Sequence, residues 1–450
     1  MRFAAPVPTL TPSSMGATMI PKSVCSLLLL CAAALCAEVL AAPLLNPAGG
    51  DRAAAPLTPA MEKLKQAHDA LVRKDFKAAN AAFEAASKLD PKLPGAWLGL
   101  AETARVEGKA AKAEEYVRKA LEVAPSNPEV QRAYGRLLFA KGDLPGAEAA
   151  FKRAIELAPN EAISYLDLGE LYSQGSRNFP AAEQAFARAV ALDASHAGAR
   201  FGFATAQAAN GKWQEAIASY EEAHRLAPKN PLPLIGLGAL YLSRKDSGQA
   251  RAAFERALKI QPKLPPALEG LGDAFLQERN YVKAEAAYAE CANLTPKAAN
   301  IQFKLGGAQM AQGKRAEAMR SFKAAVAADP RLAVAYNNLA WLEVEQKGDL
   351  NQALVWAKRA TELDPRVTNY WHTLGVVYLA RGENAEAVKA LAEATKATPP
   401  SAEHLYRLGV AQARSGQKAE AALNLRRALE VNPSFPNSQA ARQLLAELGG

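Results

Sequence analysis

Aromatic side chains make up only 7% of this 450-residue chain, and it holds four cysteines and five histidines. Four cysteines exclude a disulfide-dense scaffold. The histidines, His68, His196, His224, His372 and His404, stand far apart without HExxH or any other ligand-like spacing, so no metal centre is expected. Also missing are a GxxxxGK[ST] phosphate loop and a GxSxG nucleophile turn. Adjacent carboxylates such as Glu114-Glu115 and Glu221-Glu222 point in different directions on a helix, which makes them solvated faces rather than acid–base pairs. These absences predict a protein that is not an enzyme and needs no cofactor. Charge of one sign is scarce as well. Lys and Arg total 54 against 45 Asp and Glu, and the resulting +9 is dilute over the length of the chain. Basic pairs such as Lys314-Arg315 and Arg426-Arg427 are isolated and form no stripe able to neutralise phosphates, so no nucleic-acid partner is expected.

What the chain does have is apolar and helix-forming. Half of its residues are hydrophobic, alanine prominent among them, and alanine loses no side-chain entropy in a helix. The N-terminus is set apart from the rest. Lys22 precedes an apolar run from Val24 to Ala37, followed by Glu38 and Val39-Leu40-Ala41. This three-part pattern reads as a secretory signal peptide cleaved before Ala42, with Met15 or Met19 a more natural start than Met1. The competing reading of residues 1–41 is a retained membrane anchor, although the run falls short of the roughly 20 apolar residues a span needs. Cys25, Cys31 and Cys36 leave with a cleaved segment, so Cys291 would be alone in the mature chain. Residues 42–59, with four prolines and Gly49-Gly50, read as a flexible linker.

From residue 60 onward the sequence repeats. Pro91, Pro125 and Pro159 are 34 apart, as are Pro228, Pro262, Pro296 and Pro330, and Pro365, Pro399 and Pro433 continue the series with one added residue. Eleven units fill residues 60–435, two of them lengthened by one residue. The eighth place of each unit is small (Gly135, Gly169, Gly238, Gly272, Gly306, Gly375 and Gly409 among them), and a large residue follows sixteen or seventeen places later, such as Phe151, Phe186, Phe254, Tyr288 and Phe322. Apolar spacings of three and four predict two helices per unit, a small residue where they cross, and a proline at the exit of the second. Short helix pairs cannot bury their apolar faces alone, so the units must stack. Cys291 stands where other units carry a small buried residue and is expected to be an inert core thiol. Residues 436–450 read as a capping helix that covers the last unit through Leu444, Leu445 and Leu448.

The run Trp371-x-x-Leu374-Gly375-x-x-Tyr378 with Ala387, Leu391, Ala394 and Pro399 resembles the tetratricopeptide repeat, as do Leu237, Gly238, Tyr241, Ala250, Phe254, Ala257 and Pro262. The resemblance implies an all-α, right-handed α-solenoid of antiparallel helix pairs whose first helices line a concave groove. It places the second, fifth, ninth and twelfth residues of each unit in that groove. Those places hold Arg132 and Arg136 early in the chain, then Phe201, Ile235, Phe303, Asn337, Trp341, His372 and Tyr406. The groove is thus expected to be charged at first and apolar later, suited to a protein or peptide partner. The expected role is a scaffold in the bacterial envelope, periplasmic or secreted. The alternative is an accessory subunit of a polysaccharide synthesis or export machine, anchored in the inner membrane if the N-terminal segment is retained.

Overall fold

In the computed structural model, residues 57–396 and 399–449 are described, and the expectations for residues 1–41 and most of 42–59 lie outside them. The described residues form 23 α-helices and no strand. Twenty-two of these make eleven antiparallel pairs, from Pro59–Val72 with Phe76–Leu89 to Ala402–Arg414 with Lys418–Val431, and Ser438–Glu447 follows as a single helix. The chain divides into two compact bodies at residues 261 and 262. In the first body the pairs run from Pro59–Val72 to Ser247–Ile260, and in the second from Pro265–Gln277 to Lys418–Val431.

One contact recurs in both bodies. In seven repeats the large residue of the second helix is buried against the eighth-place glycine of the first helix of its own repeat. A Cβ placed on Gly135 would lie 2.6 Å from the Phe151 ring, and one on Gly272 would lie 2.5 Å from the Tyr288 ring. Phe186 has glycines on two sides, Gly169 in its own repeat and Gly202 in the next. Alanines fill the remaining close crossings: Ala79, Ala147, Ala216, Ala284, Ala318 and Ala387 have no exposed surface. Small residues at these places let the helix axes approach until the rings fill the gap at interior density. Cys291 occupies such a place. It is buried, its thiol lies 3.5 Å from the Pro265 carbonyl oxygen, and burial pushes its pKa up, so it is held as the neutral thiol. The proline-containing exits are fixed in a similar way. Trp97 and Trp371 each donate an indole hydrogen bond of 2.8 Å back to the carbonyl of Pro91 or Pro365, just beyond the preceding helix.

The two added residues are accommodated differently. In the fourth repeat the first helix ends in a π-turn at Leu171–Gly175, where the Ser176 amide donates to the Leu171 carbonyl five residues back. This is the expected form of a single insertion inside a helix. In the ninth repeat the extra residue lies in the turn, where Gly348 separates Lys347 from the N-cap Asp349.

The turn between the two helices of a repeat always passes through a left-handed residue, for which Gly is the least strained choice. Six repeats use Gly there, for example Gly382 at φ 79°. The other five use Lys74, Arg177, Lys245, Arg279 and Lys347, at φ of 51–62°. Each of these five is followed, directly or in the ninth repeat after Gly348, by an Asp or Asn whose side chain accepts a hydrogen bond from the first turn of the next helix: Asp75, Asn178, Asp246, Asn280 and Asp349. Among the six glycine turns only Gly142 has such a cap, Asp143. A left-handed non-glycine residue costs roughly 1–2 kcal/mol, and a good N-cap contributes about 1 kcal/mol. Each turn therefore has either relaxed backbone or a cap to offset the strain. Replacing Arg279→Gly, with Asn280 kept, is expected to raise stability by about 1 kcal/mol in a denaturant titration, while Asn280→Ala lowers it by about as much. A neutral or destabilising Arg279→Gly would contradict the compensation.

Candidate functional site

In the first body, Arg132 and Arg136 on Pro128–Ala140 both reach Asp167 on Ala162–Glu170. The Arg132 Nε donates to Asp167 Oδ2 at 2.8 Å, and Arg136 lies 2.7 Å from Oδ1. Glu161 is 4.0 Å from Arg132. Asp167 is only 4% exposed, and a carboxylate this deep persists because both of its oxygens meet guanidinium groups. The two arginines expected to recognise a partner thus share a carboxylate that the sequence reading passed over. Asp167→Ala leaves the largely enclosed Arg132 without its main counter-charge. It is expected to cost about 3 kcal/mol by denaturant titration, and a loss within about 0.5 kcal/mol, the range of an ordinary surface change, would contradict this placement.

Two of the expected groove positions prove to be core. Phe201 is buried, its ring 5.7 Å from that of Tyr220 on the second helix of the same repeat. Ile235 has no exposed surface. It belongs to the helix Leu232–Ser243, which is apolar all round and buried from Pro233 through Leu240. A helix with no polar face is covered on every side, so the family's groove position carries no surface here. Asn337 and Tyr406 are buried too, whereas Phe303, Trp341 and His372 are partly exposed.

In the second body a charged cluster joins the seventh and eighth repeats. Lys304 on Ala299–Ala311 lies 2.7 Å from Glu269 and 2.8 Å from Asp273, both on Pro265–Gln277. The Tyr288 hydroxyl donates to Asp273 at 2.5 Å, and the Asn300 amide donates to Glu269. Burial works against the Lys304 charge, but Asp273 and Glu269 outweigh it and hold the ammonium above the usual lysine range. Burial, with Asp273 beside it, pushes the Tyr288 phenol well up, so it stays protonated and remains a donor. The lysine neutralises only one of the two carboxylates, and among the described residues no group of three or more His, Cys, Asp or Glu is placed to hold a metal.

Further along the second body the face becomes uncharged and aromatic. Trp341 stacks on His372 at 6.1 Å between ring centroids, and His372 stacks on His404 at 4.6 Å. The Asn337 Oδ1 and the His372 Nε2 are shut off from solvent without hydrogen-bond partners. His404, which the sequence reading did not place at the site, is anchored through Nδ1, 3.0 Å from the Ala394 carbonyl oxygen. Tyr406 packs its ring 5.7 Å from Phe435 at the end of the last repeat. There Leu444, Leu445 and Leu448 of the terminal helical segment cover the same cluster.

Comparison with known proteins gives several likenesses. Sequence models described as tetratricopeptide repeat match residues 70–137, 104–169, 166–231, 207–272, 303–367 and 372–447. A curated relative, "Cellulose synthase operon protein C" of Xanthomonas axonopodis pv. citri (strain 306), is 36% identical over 104 residues. That match spans 23% of this chain and 7% of the relative. Among solved structures, the APC/C hetero-tetramer Cut9-Hcn1 aligns with 87% of this chain and 96% of its own at 15% identity and a TM-score of 0.41. PilW, a type IV pilus biogenesis factor, aligns with 48% of this chain and 98% of its own at 22% identity and a TM-score of 0.43.

Proposed function

The chain belongs to the tetratricopeptide-repeat family, and we propose that it is a non-enzymatic scaffold holding a protein or peptide partner on its first-helix face. One observation carries this reading. Asp167 in the first body and Lys304 in the second are paired with opposite charges within the chain. At Trp341 and His372, by contrast, the face keeps partly exposed aromatic rings. Flat, partly exposed rings suit the uncharged parts of a polypeptide better than a charged ligand.

The place of action in this reading is the bacterial envelope, periplasmic or secreted. It rests on the export pattern at Lys22, Val24–Ala37 and Ala41. A more specific role, as an accessory subunit of a polysaccharide synthesis machine, draws its support from the 36% identity to Cellulose synthase operon protein C. In that role the partner is a component of the synthesis machinery.

The test is a crosslinking pull-down of the full chain from its native envelope, compared with Trp341→Ala. Truncating a central tryptophan anchor costs about 2 kcal/mol of binding. Partner recovery is expected to fall by more than tenfold, and unchanged recovery would remove this stretch of the face as the binding surface. Recovery of synthase components favours the polysaccharide role over a general scaffold. Sequencing the N-terminus of the exported protein is expected to read from Ala42, and a retained upstream segment would establish the anchor instead.

A further inference from the structure

In the second body two histidine rings stack on one another. His372 belongs to the first helix of the tenth repeat, Thr368–Arg381, and His404 to that of the eleventh, Ala402–Arg414. Their rings are nearly parallel, 25° apart, with centroids 4.6 Å from one another. Such stacking favours neutral imidazoles, since two imidazolium rings at this separation repel strongly where water is excluded.

The surroundings offer no place for added positive charge. On the ninth-repeat side His372 meets the uncharged Trp341 ring, and its own Nε2 is sealed without a partner. On the eleventh-repeat side the charge acting on it is Arg407, which disfavours a second cation. From the second helix of the tenth repeat comes a backbone carbonyl, that of Ala394, which accepts from His404 Nδ1. The carboxylate that acts on His404 is Glu403. Glu403 is already engaged, accepting from Arg407 at 2.8 Å and from the Asn437 amide at 2.9 and 2.8 Å. No uncommitted anion acts on the pair.

We propose that the stacked His372–His404 pair is an acid-opened joint: near neutral pH it locks the tenth and eleventh repeats together, and acidification drives the rings apart and loosens residues 368–435.

Burial, then His404 and Arg407, holds His372 well below the ordinary histidine value of 6.5, and burial also lowers His404. Below pH 6.5 the unfolded or opened chain binds protons that the closed pair refuses. Stability is thus fully present above the ordinary histidine pKa and is lost as pH falls from there toward the depressed values. Repeat arrays open locally, so the loss is confined to the repeats that share the joint.

The test is amide hydrogen exchange of the full chain at about pH 7.5 and about pH 5.5, corrected for the intrinsic pH dependence of exchange, a range that brackets histidine titration. Protection in Thr368–Arg381 and Ala402–Arg414 is expected to fall by about tenfold or more for each unit of depressed pKa spanned, while residues 57–261 keep theirs. The doubly substituted His372→Phe, His404→Phe chain keeps two stacked rings and is expected to show no selective loss. Equal loss in that variant, or none in the unaltered chain, overturns the proposal. If the variant does not fold, imidazole resonances of the unaltered protein decide. Both His372 and His404 are expected to titrate below 6.5, and ordinary titration of either overturns the joint.

Discussion

Seven of the eleven described repeats depend on one steric fact: a large side chain can be buried between two short helices only if the helix it meets has no side chain there. Gly135, Gly169, Gly238, Gly272, Gly306, Gly375 and Gly409 supply the gap, and Phe151, Phe186, Phe254, Tyr288, Phe322, Leu391 and Leu425 fill it. Fully burying one such ring is worth about 2–3 kcal/mol, which isolated helices of 13 or 14 residues need to remain folded. The same geometry fixes which side of each first helix is left for other purposes. Residues facing the second helix are committed to the core, and the opposite side, where Arg132, Trp341 and His372 lie, is free to vary between repeats.

That free side is put to different uses along the chain. In places it ties one repeat to the next through charge, as with Arg132 and Asp167 or Lys304 and Asp273. Elsewhere the repeats are joined by stacked rings, Trp341 on His372 on His404. Hydrogen bonds inside single repeats add a third pattern: Gln207, Gln309 and Gln412 each accept from a residue twelve places on, Ser219, Ser321 and Asn424. A solenoid of this kind is stabilised by terms within repeats and between neighbours, so altering one face residue has local consequences.

The fold was legible in the sequence because its determinants are periodic. Small eighth-place residues, large residues sixteen or seventeen places on and prolines every 34 residues are visible without coordinates, and they place the helices and their crossings. The candidate site was less legible, because whether a first-helix residue is exposed depends on how apolar its whole helix is. Ile235 and Phe201 obey the positional rule and are buried nonetheless, while Trp341 obeys it and keeps part of its ring exposed. The sequence also carries a charge signal. Opposite charges 31 or 35 residues apart, such as Arg132 and Asp167 or Glu269 and Lys304, mark pairs that bridge successive first helices. His372 and His404, 32 apart in the printed sequence, carry no such charge signature, and only the packing brings them together.

The most direct test of the glycine–ring contact is a double-mutant cycle at Gly306 and Phe322, followed by denaturant titration. With Phe322 present, a Cβ at residue 306 would lie 2.7 Å from its ring, so Gly306→Ala is expected to destabilise by about 1–3 kcal/mol. With Phe322→Ala in place the clash is gone, and the same substitution is expected to stabilise by up to about 1 kcal/mol, the helix preference of alanine over glycine. A Gly306→Ala effect of the same sign and size in both backgrounds would show that the ring does not depend on the missing side chain.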